Sequence, residues 1–173
     1  MNKKLRELTI TGLLVALSIV IPMFMPIKIV LPTFTMTLAA HVPAILAMFV
    51  SPLAVILVAI GNGLGFMSLG PIVVVRALTH MIFGLMGCWL MKKKINYIVI
   101  GLVTLIIHGI CEFLVLLAFS TSVVVSDAGA LAAAFIALYG TWVHHALDFA
   151  ISTPILIALC KTDFIDYKIK FKR

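Results

Sequence analysis

Charge is scarce in this chain of 173 residues: Asp, Glu, Lys and Arg together make up 11%, against roughly 25% in a soluble domain. Hydrophobic residues fill 64% of it and mean hydropathy is +1.26, which excludes a water-soluble globule and a disordered chain alike. Cysteine is too rare for a disulfide framework. The three present, Cys88, Cys111 and Cys160, lie in or beside apolar runs and read as small core or lipid-facing residues. Six membrane-crossing helices of roughly 20 residues each account for about 120 residues. The remainder is enough for short loops and tails, and too little for an ATPase domain.

The charge that is present has a definite layout. Net charge is +7, and a nucleic-acid surface needs basic side chains interleaved with exposed aromatics on one face. Here they sit at helix ends instead. Lys3, Lys4 and Arg6 precede the first apolar run, Lys92, Lys93 and Lys94 follow the fourth, and Lys161, Lys168, Lys170, Lys172 and Arg173 follow the last. With six crossings these clusters share one side, which the positive-inside rule makes cytoplasmic, and both termini with it. Lys28, in the first outer loop, and Arg76, inside an apolar run, stand apart.

The sequence therefore predicts an all-α integral membrane protein of one domain. Helices are expected at about 8–24, 38–50, 53–69, 72–91, 95–119 and 130–160. No small-residue cleavage site follows the first run, so no cleaved signal peptide is expected. Residues 26–37 (PIKIVLPTFTMT) show period-two patterning with two prolines and are expected to form an extended outer lid. The second helix is short and contains Pro43, so it is tilted and buried or starts within the loop. Pro154 should kink the sixth helix, and the tail 161–173 alternates apolar and charged residues, as a segment at the inner headgroup layer would. No internal repeat is evident, against an inverted-repeat carrier.

Ionisable side chains in hydrocarbon are costly, so the few inside apolar runs carry the functional information. They come as pairs four residues apart, and thus on one helical face: Arg76 with His80, His108 with Glu112, and His144 with Asp148, His145 being adjacent. At a rise of about 1.5 Å per residue, His108 and Glu112 stand roughly 20 and 26 Å above the inner end of their helix. Arg76 and His80 lie one and two turns below the outer end of theirs. With His41 at the start of the second helix and Asn62 in the third, they outline a pocket open to the outside, with Tyr139 and Trp142 above His144 and His145. Each has a structural alternative. Glu112 can simply neutralise Arg76, and single histidines can be hydrogen-bonded core residues. Arg76 is hardest to explain structurally, and a small anionic ligand would give its guanidinium a bidentate partner.

Enzyme motifs are missing. An intramembrane zinc protease needs His-Glu-x-x-His, and His144-His145-Ala146-Leu147-Asp148 lacks the glutamate between two histidines. A metal site from His41, His80, His108 and Glu112 is conceivable by ligand type but has no supporting spacing, so no metal or cofactor is expected. Gly61, Gly63 and Gly65 sit in an apolar helix and read as a close packing face. Gly12 and Ala16 form a small-xxx-small step on the first helix, suited to close contact with another helix of this chain or of another protein.

Size, six helices, both ends inside, the extended loop after helix one, the step Gly12-Leu13-Leu14-Val15-Ala16, and the string Ala40-His41-Val42-Pro43-Ala44-Ile45-Leu46-Ala47-Met48-Phe49 together resemble a substrate-binding S component of an energy-coupling factor (ECF) vitamin transporter. The resemblance spans essentially the whole chain. It implies a non-enzymatic uptake subunit in the bacterial plasma membrane that docks on a transmembrane T component driven by two cytoplasmic ATPases. The family's Ala-x-x-x-Ala contact with the T component maps onto Gly12 and Ala16, with glycine in the first place. The ligand implied is a small vitamin held near the outer face. The string of helix two and the Arg76–His80 arrangement look most like pantothenate-type S components, with niacin-type next. Riboflavin or folate would favour more Trp and Tyr than the two and three present. Arg76, His80, His41, Asn62, His108, Glu112, Tyr139, Trp142 and His145 are the expected ligand contacts. A stand-alone secondary carrier and an intramembrane metal-site protein are the readings from other classes.

Overall fold

The computed structural model describes residues 2–31, 34–120 and 127–162. The expected tail from 163 onward, residues 32–33 of the expected lid and residues 121–126 lie outside them. Helix α1 spans Lys3–Phe24, strands β1 (Lys28–Val30) and β2 (Thr35–Thr37) form an antiparallel hairpin, and α2 (Val42–Ala47), α3 (Pro52–Gly65), α4 (Pro71–Leu78), α5 (His80–Lys92), α6 (Tyr97–Ser120) and α7 (Asp127–Cys160) follow. Among the described residues, four stretches are long and apolar enough to cross a membrane: Lys3–Phe24, Pro71–Lys92, Tyr97–Phe119 and Gly129–Cys160. Pro52–Gly65 is a shorter apolar helix. The protein is thus an all-α membrane protein with one small hairpin.

Local chemistry explains where these elements begin and end. Asn2 caps α1 by accepting from Lys4 N at 3.1 Å, and Ser51 caps α3 by accepting from Ala54 N at 3.2 Å, with Pro52 in the first turn, where a missing N–H costs nothing. Gly70 adopts φ +100, a left-handed conformation that glycine reaches freely, and turns the chain into Pro71 and α4. The stretch expected as one helix over 72–91 is two helices meeting at Thr79. The Thr79 hydroxyl donates to Arg76 O at 2.7 Å, competing for a carbonyl the helical ladder would otherwise use. The helix expected over 38–50 is α-helical only at Val42–Ala47, because residues 38–41 are committed to anchoring the hairpin.

In hydrocarbon every backbone group needs a partner from the protein. Pro22, inside α1, has no N–H to offer the carbonyl of Ser18. That carbonyl receives Asn62 Nδ2 at 3.4 Å, and the same amide nitrogen donates to Ala40 O at 3.0 Å. Lys28 Nζ donates to Pro22 O at 2.8 Å and Met23 O at 3.2 Å, closing the carbonyl end of α1. The lone cation of the loop after α1 is therefore a helix cap.

Helix α1 runs alongside α3 through two glycines. A Cβ on Gly65 would lie 2.7 Å from Ile19 O, and one on Gly61 would strike Ser18 and Val15. Gly63 faces Leu78 and Val74 instead. Helices α6 and α7 are antiparallel, with Tyr97 bonded to Thr153 at 2.9 Å near one end and Gly109 against Trp142 toward the other. The Tyr97–Thr153 end of this pair follows Lys92 in the chain and precedes Lys161. The hairpin closes the opposite end, with Phe34 buried on Gly140. Between them lies an apolar core including Ile45, Val55, Val58, Phe83, Ile100 and Leu156.

The α1–α3 contact yields a test. Gly65→Ala should cost about 1–3 kcal/mol, because the obstructing atom is backbone and cannot rotate away. Gly12→Ala, with nothing within 4 Å of the new Cβ, should change stability by less than about 0.5 kcal/mol. Equilibrium unfolding in detergent distinguishes the two, and equal effects would show that α1 and α3 do not pack as described.

Candidate ligand pocket

All five histidines of the chain are buried, and they converge in one place. His41 stands at the centre: its ring centroid is 4.6 Å from that of His80, 4.6 Å from His108, 4.2 Å from His144 and 5.9 Å from His145. Different elements bring them there. His41 precedes α2, His80 opens α5, His108 lies on α6, and His144 and His145 lie on α7.

Asp148 organises the lower part. Its carboxylate accepts Ala39 N at 2.8 Å and His41 N at 2.9 Å, and lies 3.0 Å from His41 Nδ1 and 3.2 Å from His144 Nε2. Ala39 has φ +65, which a side-chain-bearing residue adopts only when held there. His144 Nε2 also lies 2.9 Å from Thr37 O. Asp148 and His144 therefore clamp the foot of the hairpin to α7, and position His41 in doing so.

Arg76 and Glu112 organise the upper part. Arg76 Nε donates to Glu112 Oε2, and Nη1 donates to Thr35 Oγ1 at 3.3 Å, so the guanidinium joins α4, α6 and the hairpin. Both charged side chains are buried. The other carboxylate oxygen, Oε1, lies 3.7 Å from His108 Nε2. His108 continues inward: its Nδ1 is 3.1 Å from His145 Nδ1, and His145 Nε2 is 3.3 Å from Thr104 Oγ1.

Between the two groups lies a cavity of about 20 Å³ lined by Thr35, His41, Arg76, His80, His108, Glu112, Thr141 and His144, with Phe66, Val73 and Ala77 as apolar wall. That is room for about one water molecule. An organic ligand therefore has to displace part of this lining. The pocket offers a guanidinium, imidazoles and a carboxylate beside aromatic faces, which suits recognition of a small charged ring.

Five of the expected contacts, Arg76, His80, His41, His108 and Glu112, line the cavity. His145 lies behind His108 and buttresses it. Asn62 does not line it; the residue is fully buried in the backbone ties to Ser18 and Ala40. Tyr139 is 58% exposed, because at 100° per residue it lies roughly 160° around α7 from Thr141. Trp142 is half-buried against Gly109, outside the cavity. Thr141 lies three and four residues before His144 and His145, so helical spacing could have revealed it. The same holds for Val73 and Ala77, which share a face with Arg76 and His80. Gly12 and Ala16 are exposed on the outer surface of α1, away from the pocket.

Coupling between Arg76 and Glu112 can be measured directly. Arg76→Ala strands a buried carboxylate and should destabilise the protein by about 3–5 kcal/mol. The double variant Arg76→Met/Glu112→Leu, which removes both charges, should recover most of that loss. Additive losses in a detergent unfolding series would mean that the two groups do not depend on each other.

Comparison with known proteins gives one clear relation. The chain is 36% identical over 174 positions to the niacin transporter NiaX of Lactococcus lactis subsp. cremoris (strain MG1363), across 94% of this chain and 78% of that protein. No family model and no solved structure matches.

Proposed function

We propose a function from one premise: the chain belongs to the family of ECF-type vitamin S components that includes the niacin transporter NiaX. On this reading it is a non-enzymatic transport subunit that captures niacin, as the nicotinate anion, from outside a bacterial cell. The carrying observation is a guanidinium, Arg76, set in a pocket walled by the rings of His41, Phe66, His80 and His108. A flat pyridine carboxylate matches both parts, its anion meeting Arg76 and its ring meeting aromatic faces. Pantothenate, the first expectation from the sequence, is aliphatic apart from its polar groups and makes less use of these walls. The relation to NiaX supports niacin, the second expectation.

In this proposal binding proceeds from the contacts described. The hairpin lifts, Thr35 leaves Arg76 Nη1, and the ligand carboxylate takes the vacated edge of the guanidinium while Glu112 keeps Nε. His41 and His80 then offer ring nitrogens to the pyridine nitrogen. Release inside requires partners, since the chain carries no ATP site among its motifs. In this proposal six crossings, the second formed by the short α2 and its flanking turns, place both termini and the lysine clusters in the cytoplasm. The exposed apolar face of α1 around Gly12, Leu13, Ala16 and Leu17 meets a transmembrane T component carrying two ATPases, and ATP hydrolysis there reorients the pocket.

Titration of the purified protein with a panel of vitamins should show nicotinate binding. Arg76→Lys, which keeps the charge but loses the fork, should weaken it roughly 10–100-fold. Unchanged affinity in Arg76→Lys and Arg76→Ala would overturn the carboxylate role. Ala16→Trp should leave nicotinate binding intact and abolish uptake by cells that contain the partner subunits. Uptake surviving that bulk would place the partner surface elsewhere.

A further inference from the structure

Three ring nitrogens of the pocket, His41 Nδ1, His80 Nδ1 and His108 Nε2, are buried without a hydrogen-bond partner; the first lies 3.0 Å from the Asp148 carboxylate, which leaves His80 Nδ1 and His108 Nε2. Native interiors rarely leave such groups unsatisfied, and these two face the same place as a carboxylate oxygen. One donor atom each from His80, His108 and Glu112 lie within 4.8 Å of one another. His108 Nε2 and Glu112 Oε1 are 3.7 Å apart. In a tetrahedral site with bonds of about 2.0–2.1 Å, neighbouring ligand atoms stand about 3.4 Å apart. Small side-chain rotations therefore suffice to close three ligands on one ion.

From this arrangement we infer that His80, His108 and Glu112 form a binding site for a divalent transition-metal ion of the zinc class, at the inner wall of the pocket. Two imidazoles and a carboxylate are the donor set such ions take. The surrounding groups are those that hold ligands in place. Behind His108, Nδ1 meets His145 Nδ1 at 3.1 Å, and His145 is held in turn by Thr104. Behind Glu112, Oε2 is engaged by Arg76, which leaves Oε1 for the ion. His41, whose ring is 4.6 Å from both histidines, closes the opposite side. A fourth coordination position opens onto the cavity of about 20 Å³, where a water molecule fits. The other buried acid, Asp148, is no competitor, because it is already occupied by two backbone amides and His144. The inference does not depend on the identity of the vitamin.

The test uses the full chain purified in detergent, stripped with a chelator, exposed to Zn²⁺ or Co²⁺ alone and desalted. Elemental analysis should find close to one ion per chain, and the Co²⁺ form should show the visible bands of a four-coordinate nitrogen and oxygen site. His80→Ala and His108→Ala should abolish both signals. His145→Ala, which leaves the ligands in place, should weaken binding roughly 10–100-fold, and it guards against a ligand variant that fails to fold. Replacing Cys88, Cys111 and Cys160 with serine should leave the metal in place. Helical, monodisperse protein that retains no ion, or that loses it with the cysteines, overturns the proposal. Nicotinate titration of the same stripped sample separates the two readings: nicotinate without metal defeats only the metal site, and metal without nicotinate defeats only the proposed vitamin.

Discussion

The pairing of Arg76 with Glu112 inside an apolar helical bundle is the constraint around which the pocket is built. Neither charge could be placed there alone, because the desolvation cost of an isolated ion in such surroundings is prohibitive. Together they join α4, α6 and the hairpin through Thr35. They also define the wall of the one place where the chain's histidines gather. A pair that served packing alone could be replaced by two hydrophobic residues at little cost. What makes this pair suited to function is its position on a cavity, with one edge of the guanidinium held only by a threonine hydroxyl.

The same constraint, that polar groups in hydrocarbon need partners from the protein, explains several residues with no part in ligand contact. Pro22 interrupts the ladder of α1, and Asn62 and Lys28 repair the ends. Asp148 holds the backbone of residues 39 and 41 in a conformation that Ala39 would not choose unaided. These ties hold the foot of the hairpin to α7, while Thr35 joins it to Arg76 and Phe34 packs it on Gly140. The polar repairs of the fold thus also set where the hairpin sits beside the pocket.

Much of this was legible in the sequence, and the exceptions have physical causes. Spacing of four residues identified Arg76 with His80 and His108 with Glu112 as inward-facing, since a repeat of 3.6 residues leaves little choice of face. Depth along the helices placed them at a common level. Depth without angle misdirected the reading of α7: Tyr139 lies at the right height and on the wrong side. Asn62 was drawn into the pocket by its polarity, whereas its amide is needed by a carbonyl that Pro22 orphans on a different helix. That demand is visible only once α1 and α3 are known to touch. The break at Thr79 depends on a hydroxyl turning back on its own helix, and the shortness of α2 on Asp148, more than 100 residues away. Long-range contacts of this kind leave no periodic trace.

The proposed function has a buried guanidinium, Arg76, recognise the negative charge of a small aromatic nutrient. Nicotinate and nicotinamide share the pyridine ring and differ in that charge, so their affinities for the purified protein, measured side by side, test the claim most directly. Nicotinate should bind at least about tenfold tighter, the worth of roughly one charge-assisted contact. Equal affinity, or a preference for the amide, would contradict it.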